Sequence, residues 1–136
     1  MYPLLGLIGR TAQCANLDEI KAGVACLISI LGSHARIEEE LLRPAILAWL
    51  PPPALNADGT VAPSDHEVIE SGLARVLAAT EIEDARKLLL GVLAETRLHF
   101  RKEETIIFGI ATRELTLALQ EQLGTEWARR RGTALR

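Results

Sequence analysis

Apolar residues recur every three or four positions along almost the whole chain, the period of an amphipathic helix rather than a strand. Leu4, Leu7, Ile8, Thr11, Ala12 and Ala15 describe a short first helix. Asn16 followed by Glu19 resembles a capping box and opens a second helix, whose stripe runs through Ile20, Val24, Leu27, Ile28, Leu31, Ile37, Leu41 and Leu42. Pro44 is expected to kink or end that helix near Arg43, and Pro51 to end any continuation. Turn chemistry concentrates in one long stretch, Pro51 to Ser64 (PPPALNADGTVAPS). A second box, Ser64 with Glu67, places a third helix from about Asp65 to Ala79. A third box, Thr80 with Glu83, starts a fourth helix almost without a loop. That helix runs through Leu88, Val92, His99, Glu103 and Ile107 to about Leu115. The stretch from Leu115 to Trp127 either continues it or forms a separate amphipathic turn.

One long and two short connections between four helices predict an all-α fold, an up-down-up-down antiparallel four-helix bundle with a short first helix. The expected organisation is a single domain over residues 1–136, with the bundle at about 1–115 and a C-terminal extension at about 116–136. The long loop divides the chain into two helical hairpins that resemble each other at an offset of 65 residues. His34, Arg36, Glu38 and Glu39 align with His99, Arg101, Glu103 and Glu104. Val24, Leu27 and Ile28 align with Leu89, Val92 and Leu93, and Leu4 and Ile8 with Ile69 and Leu73.

Composition supports the helical reading. The 136 residues suffice for one proper core, and a hydrophobic share of 49% with only 4% aromatics suits packed helices. A net charge of −3 gives no reason to expect nucleic acid or a membrane as partner. Arg129-Arg130-Arg131 reads as a solvated tail. Cys14 and Cys26 lack zinc or redox spacing and are expected to pack on apolar helix faces, with a cytoplasmic location. No signal peptide is legible, and no apolar run is expected to reach the roughly 18 residues of a membrane span.

The chemistry lies in the histidines. His34, His66 and His99 are each followed four residues later by a glutamate: Glu38, Glu70 and Glu103. Positions four apart share one helix face, about 5.4 Å along the axis. His66 lies 14 residues before Thr80 and His99 lies 19 after it, about 21 and 28 Å of helix, so both reach a similar depth. His34 lies about as far beyond the turn near Asn16. Inward-facing polar groups at one level would be costly unless they share a ligand. Imidazoles with carboxylates suit iron or manganese better than a structural zinc site. A ferritin-like arrangement would need glutamate first and three-residue spacing, and is disfavoured. Glu39, Glu40 and Glu104 read as solvated, and Glu67 as a cap. Arg36 and Arg101 read as surface ion-pair formers. Trp49, Phe100 and Phe108 are expected to pack against helices, with Phe100 a candidate wall of the pocket.

The segments HARIEEELLRP, DHEVIESGL and HFRKEETIIF together resemble the hemerythrin-like (HHE cation-binding) family, from Leu4 to about Ala111. The resemblance implies an antiparallel bundle around a non-haem di-iron centre with oxygen and carboxylate bridges. It implies Glu38 and Glu103 as bridges, His66 and His99 on one iron, and His34 on the other. Glu70 occupies the place of a further ligand. The family also takes a first-helix histidine, and the repeat puts that position at Met1. An incomplete second metal site, completed by water or by the Tyr2 phenolate, or a single-metal site, is therefore expected. The implied function is iron binding with dioxygen or a related small oxidant, in a binding or sensing protein. Glu70, a harder ligand, would favour oxidase or peroxidase-like activity, so enzymatic turnover stays open. The alternative is a metal-depleted bundle acting as an oligomerisation or partner-binding module; a homodimer covering the edge beside the short first helix stays open under either reading. A zinc or manganese hydrolase lacks a visible nucleophile or general base.

Overall fold

The computed structural model describes residues 2–134, and the side chains of residues 3–132. Met1 and the Tyr2 side chain, invoked above for the first-helix ligand, lie outside them. The described chain is all-helical, and its one β feature is an isolated bridge between Leu55 and Val61 in the long loop. Helix α1 spans Tyr2–Ala12 and α2 spans Leu17–Ile37. A π turn at Glu38–Leu42, the short α3 at Arg43–Ile46 and a 3₁₀ turn at Leu47–Trp49 continue α2. After the loop come α4 (Asp65–Ala78), α5 (Ile82–Lys102), a second π turn (Glu103–Ile107), α6 (Phe108–Glu114) and α7 (Leu117–Ala134).

The 65-residue repeat is present in the backbone. Shifted by 65, α2 coincides end to end with α5, and the first π turn with the second. In each π turn the N–H that closes it, on Arg43 and on Phe108, donates to the carbonyl of the glutamate five residues back, Glu38 and Glu103. π turns are rare and concentrate at functional sites. Proline is not their common cause, because Pro44 in the first copy corresponds to Gly109 in the second. Helical structure continues through Pro44, so the proline does not end the run; it falls in the first turn of α3, directly after the π turn. The run ends at Leu50, which is extended ahead of Pro51.

Packing divides the chain into two compact units: Met1–Ser29 with Pro63–Phe100, and Ile30–Ala62 with Arg101–Arg136. In the first unit Ile8, Ile20, Val24, Leu27, Leu73 and Leu89 are wholly buried. Two glycines each leave room for a neighbouring side chain. A Cβ on Gly23 would lie 2.5 Å from Thr11 Cγ2, and one on Gly72 2.7 Å from Val92 Cγ2. Helices α4 and α5 form an antiparallel hairpin, since residue 72 meets residue 92 and residue 66 meets residue 99. The capping box of α4 forms as expected: Glu67 N–H donates to Ser64 Oγ at 3.2 Å and Ser64 N–H to Glu67 Oε2 at 3.1 Å. At α2, Glu19 N–H donates to Asn16 Oδ1, but the Glu19 carboxylate accepts from Ala15 instead of Asn16. The box at Thr80 does not set the start of α5. The helix begins at Ile82, with Glu81 O accepting from Ala85 N–H, and the Glu83 carboxylate accepts from Arg86.

In the second unit Leu42, Ile46, Ile107 and Ile110 form a core, with Phe108, Leu115 and Trp127 packed against it. The stretch after Leu115 is a separate helix. Leu115 is extended, and the Thr116 hydroxyl accepts from Leu119 N–H at 3.2 Å to start α7. The three arginines therefore lie on a helix rather than on a tail, with Arg129 and Arg131 solvated as expected and Arg130 half-buried. Arg129 and Arg130 hold the Glu126 carboxyl down to about 2, and Arg130 also donates to Glu40 Oε2 at 3.0 Å. Trp49 and Cys26 are exposed, where packing was expected. The helical run Leu17–Trp49 is long and apolar enough to cross a membrane, which the pattern of short apolar runs did not anticipate. That holds by length and composition alone; 28% of its apolar window is buried, and Ile20, Val24 and Leu27 in this run are core residues.

Candidate metal centre

Two helical runs carry paired histidine and glutamate. His34 and Glu38 stand four apart where α2 passes into its π turn, and His99 and Glu103 stand four apart at the same point of α5. Both glutamates are 1% exposed. Leu42 and Ile107, four residues further on, are buried as well. His34 Nε2 lies 3.3 Å from Glu103 Oε1 and 3.7 Å from Glu38 Oε2. Ligand atoms of His34, Glu38, His99 and Glu103 all lie within 4.8 Å of one another, and these four residues could hold a metal ion.

Two buried carboxyls side by side cannot both carry a full charge. Burial first, and then the hydrogen bond and charge of Glu103, push the Glu38 carboxyl from an ordinary 4.5 up to about 9. Near neutral pH this pair needs a compensating positive charge, supplied either by a shared proton or by a cation. The donor set, nitrogen and oxygen without sulfur, suits a borderline to hard divalent ion.

His66 sits at the start of α4, and its Nε2 lies 3.0 Å from His99 Nε2. Two ligands at about 2.1 Å and a right angle to one ion stand about 3.0 Å apart. The same atoms form a hydrogen bond when one ring carries the proton. On its other side, His99 Nδ1 lies 3.2 Å from Asp65 Oδ2. A proton held at Nδ1 by that carboxylate leaves Nε2 as the lone-pair nitrogen, the arrangement that orients metal-binding histidines. The Phe100 ring lies 5.9 Å from that of His99 at a tilt of 47°.

Glu70 is exposed and lies outside the group. The inward stripe of α4 runs His66, Ile69, Leu73, Val76, so the inward neighbour of His66 on the next turn is Ile69. Glu70 lies about 100° further round. Two contacts were not read from the sequence. Asp65 looked like part of a helix start, although its place directly before His66 was an available clue. Trp127, whose ring meets His34 edge-on at 5.6 Å, lies 93 residues away and gave no local sign.

No family model, curated protein or solved structure matches the chain.

Proposed function

We propose that the chain is a hemerythrin-like, non-haem iron-binding protein that binds or senses dioxygen or a related small oxidant, built as an antiparallel four-helix bundle. The observation that carries this reading is the cluster of two histidines and two buried glutamates, each glutamate opening a π turn at equivalent points of a repeat. Mixed imidazole and carboxylate ligands are those of non-haem iron sites. Iron bound there would supply a redox-active centre with room for a small oxidant. Glu38 and Glu103 would release the proton they share as the cation enters. His34, His66 and His99 would supply neutral nitrogens, with Asp65 holding the proton on His99 Nδ1. Glu70 is left out of the ligand set, and the harder ligand that would favour oxidase chemistry goes with it. A binding or sensing role is the reading retained.

Elemental analysis of protein from iron-replete cells tests this. About one to two irons per chain are expected, falling to background in His99→Ala. Unchanged iron in that variant, or a folded wild-type protein that takes up no iron, would sink the proposal and favour a partner-binding bundle.

A further inference from the structure

Within the second unit, a half-open cavity of about 650 Å³ lies beside α7. Leu42, Phe108 and Leu115 line it from one side, and Leu123, Gly124 and Trp127 from α7. A helix docked on a filled core buries its apolar stripe. Here the stripe Gln120, Leu123, Trp127 and Arg130 is only half-buried, and none of the described α7 side chains is fully buried. A Cβ added at Gly124 would meet nothing within 4 Å. Helix α7 is thus held by Trp127, packed on the core and beside Phe108, and by the Arg130–Glu40 pair, with open space beside Gly124.

The walls offer little hydrogen bonding to an occupant. The Thr112 hydroxyl donates to Phe108 O at 2.8 Å, and Gln120 Nε2 donates to Leu115 O at 2.9 Å and Thr112 O at 3.2 Å. Among the lining residues Arg131 alone is charged. Its neighbours Arg129 and Arg130 are engaged with Glu126. A half-open, mostly apolar cavity within the size range of small-ligand pockets, with one guanidinium beside it, matches an amphipathic anion.

We propose that this cavity binds a medium-chain aliphatic monocarboxylate, with its chain against Phe108 and Trp127 and its carboxylate on Arg131. The site does not depend on the iron reading, although an occupant would touch Trp127, whose edge meets His34.

Fluorescence titration with decanoate, kept below its micellar concentration, tests the assignment in Trp49→Phe protein, where Trp127 is the sole tryptophan. A saturable change in emission is expected. Arg131→Gln should weaken binding by at least about tenfold, and Ala128→Leu, which puts bulk into the cavity from an exposed helix position, should abolish it. Decyltrimethylammonium, of the same length and opposite charge, should bind at least about tenfold more weakly than decanoate. Absence of saturation, equal binding of anion and cation, or a concentration-dependent dimer that protects Trp127 without ligand would each overturn the proposal. Titrations of both metal-free and iron-loaded protein keep this outcome separate from that of the iron site.

Discussion

The two copies of the repeat share a backbone and differ in what steadies their histidines. In both, a helix of the same length leads into a π turn that opens on a buried glutamate. His99 is set by polar partners, Asp65 on Nδ1 and His66 on Nε2, and its side chain is 7% exposed. His34 is set by the edge of Trp127 and by carboxylates, and its side chain is 15% exposed. One backbone device can therefore be tuned by its surroundings without altering the ligand spacing. A carboxylate behind an imidazole makes it a better donor, whereas an indole edge mainly restrains its orientation.

The largest test of equivalence between the copies is pH. In the metal-free protein the folded Glu38 keeps a proton up to about 9 that an unfolded chain releases near 4.5. The folded state therefore binds more protons across that window, and stability is highest below it and falls as pH rises, by up to about 1.4 kcal/mol per unit. Thermal melts of metal-free protein from pH 5 to 8.5 should show this decline, and added ferrous or manganous ion should oppose it most strongly at the alkaline end. If the glutamates are interchangeable, Glu38→Gln and Glu103→Gln will flatten the slope alike. A slope removed by only one of them would make the copies electrostatically distinct.

Asp65→Asn probes the polar side of the contrast. Loss of the carboxylate behind His99 should weaken metal binding about 10- to 100-fold, with little change in the melting of the metal-free protein. The histidine proton resonances should show His99 losing its preferred tautomer. Equal affinity in the variant would mean that Asp65 merely happens to lie nearby. The smallest effect belongs to Arg130→Ala, which unties α7 from Glu40 behind Trp127. The pair is partly exposed, so a drop in Tm of no more than about 3 °C is expected. A much larger fall would mean that α7 steadies His34 more firmly than its half-buried stripe suggests.

Much of this was legible in the sequence because it depends on local spacing. The pairs His34/Glu38 and His99/Glu103, the cap at Ser64 and the 65-residue repeat are all patterns along one helix or between copies of it. The π turns left no distinctive mark. Glu38, Leu42 and Ile46 are buried at successive steps of four, as are His99, Glu103 and Ile107, but so are Val92, Thr96 and Phe100 within the regular part of α5. An ordinary apolar stripe is wide enough to absorb the drift of about 40° at each such step, so this spacing does not tell a π turn from an α-helix. Glu70 was misplaced because a four-residue step from His66 was given the same weight, although Ile69 already filled the inward position. Asp65 and Trp127 depend on contacts between distant segments, which no local spacing encodes.

Gly72 shows how far such control can reach. It lies six residues beyond His66 on α4, and its missing side chain lets Val92 of α5 press against the bare backbone. A side chain at position 72 would push Val92, and α5 with it, away from α4. The separation of the imidazole nitrogens is in effect gauged about two turns away, by an atom the chain does not have.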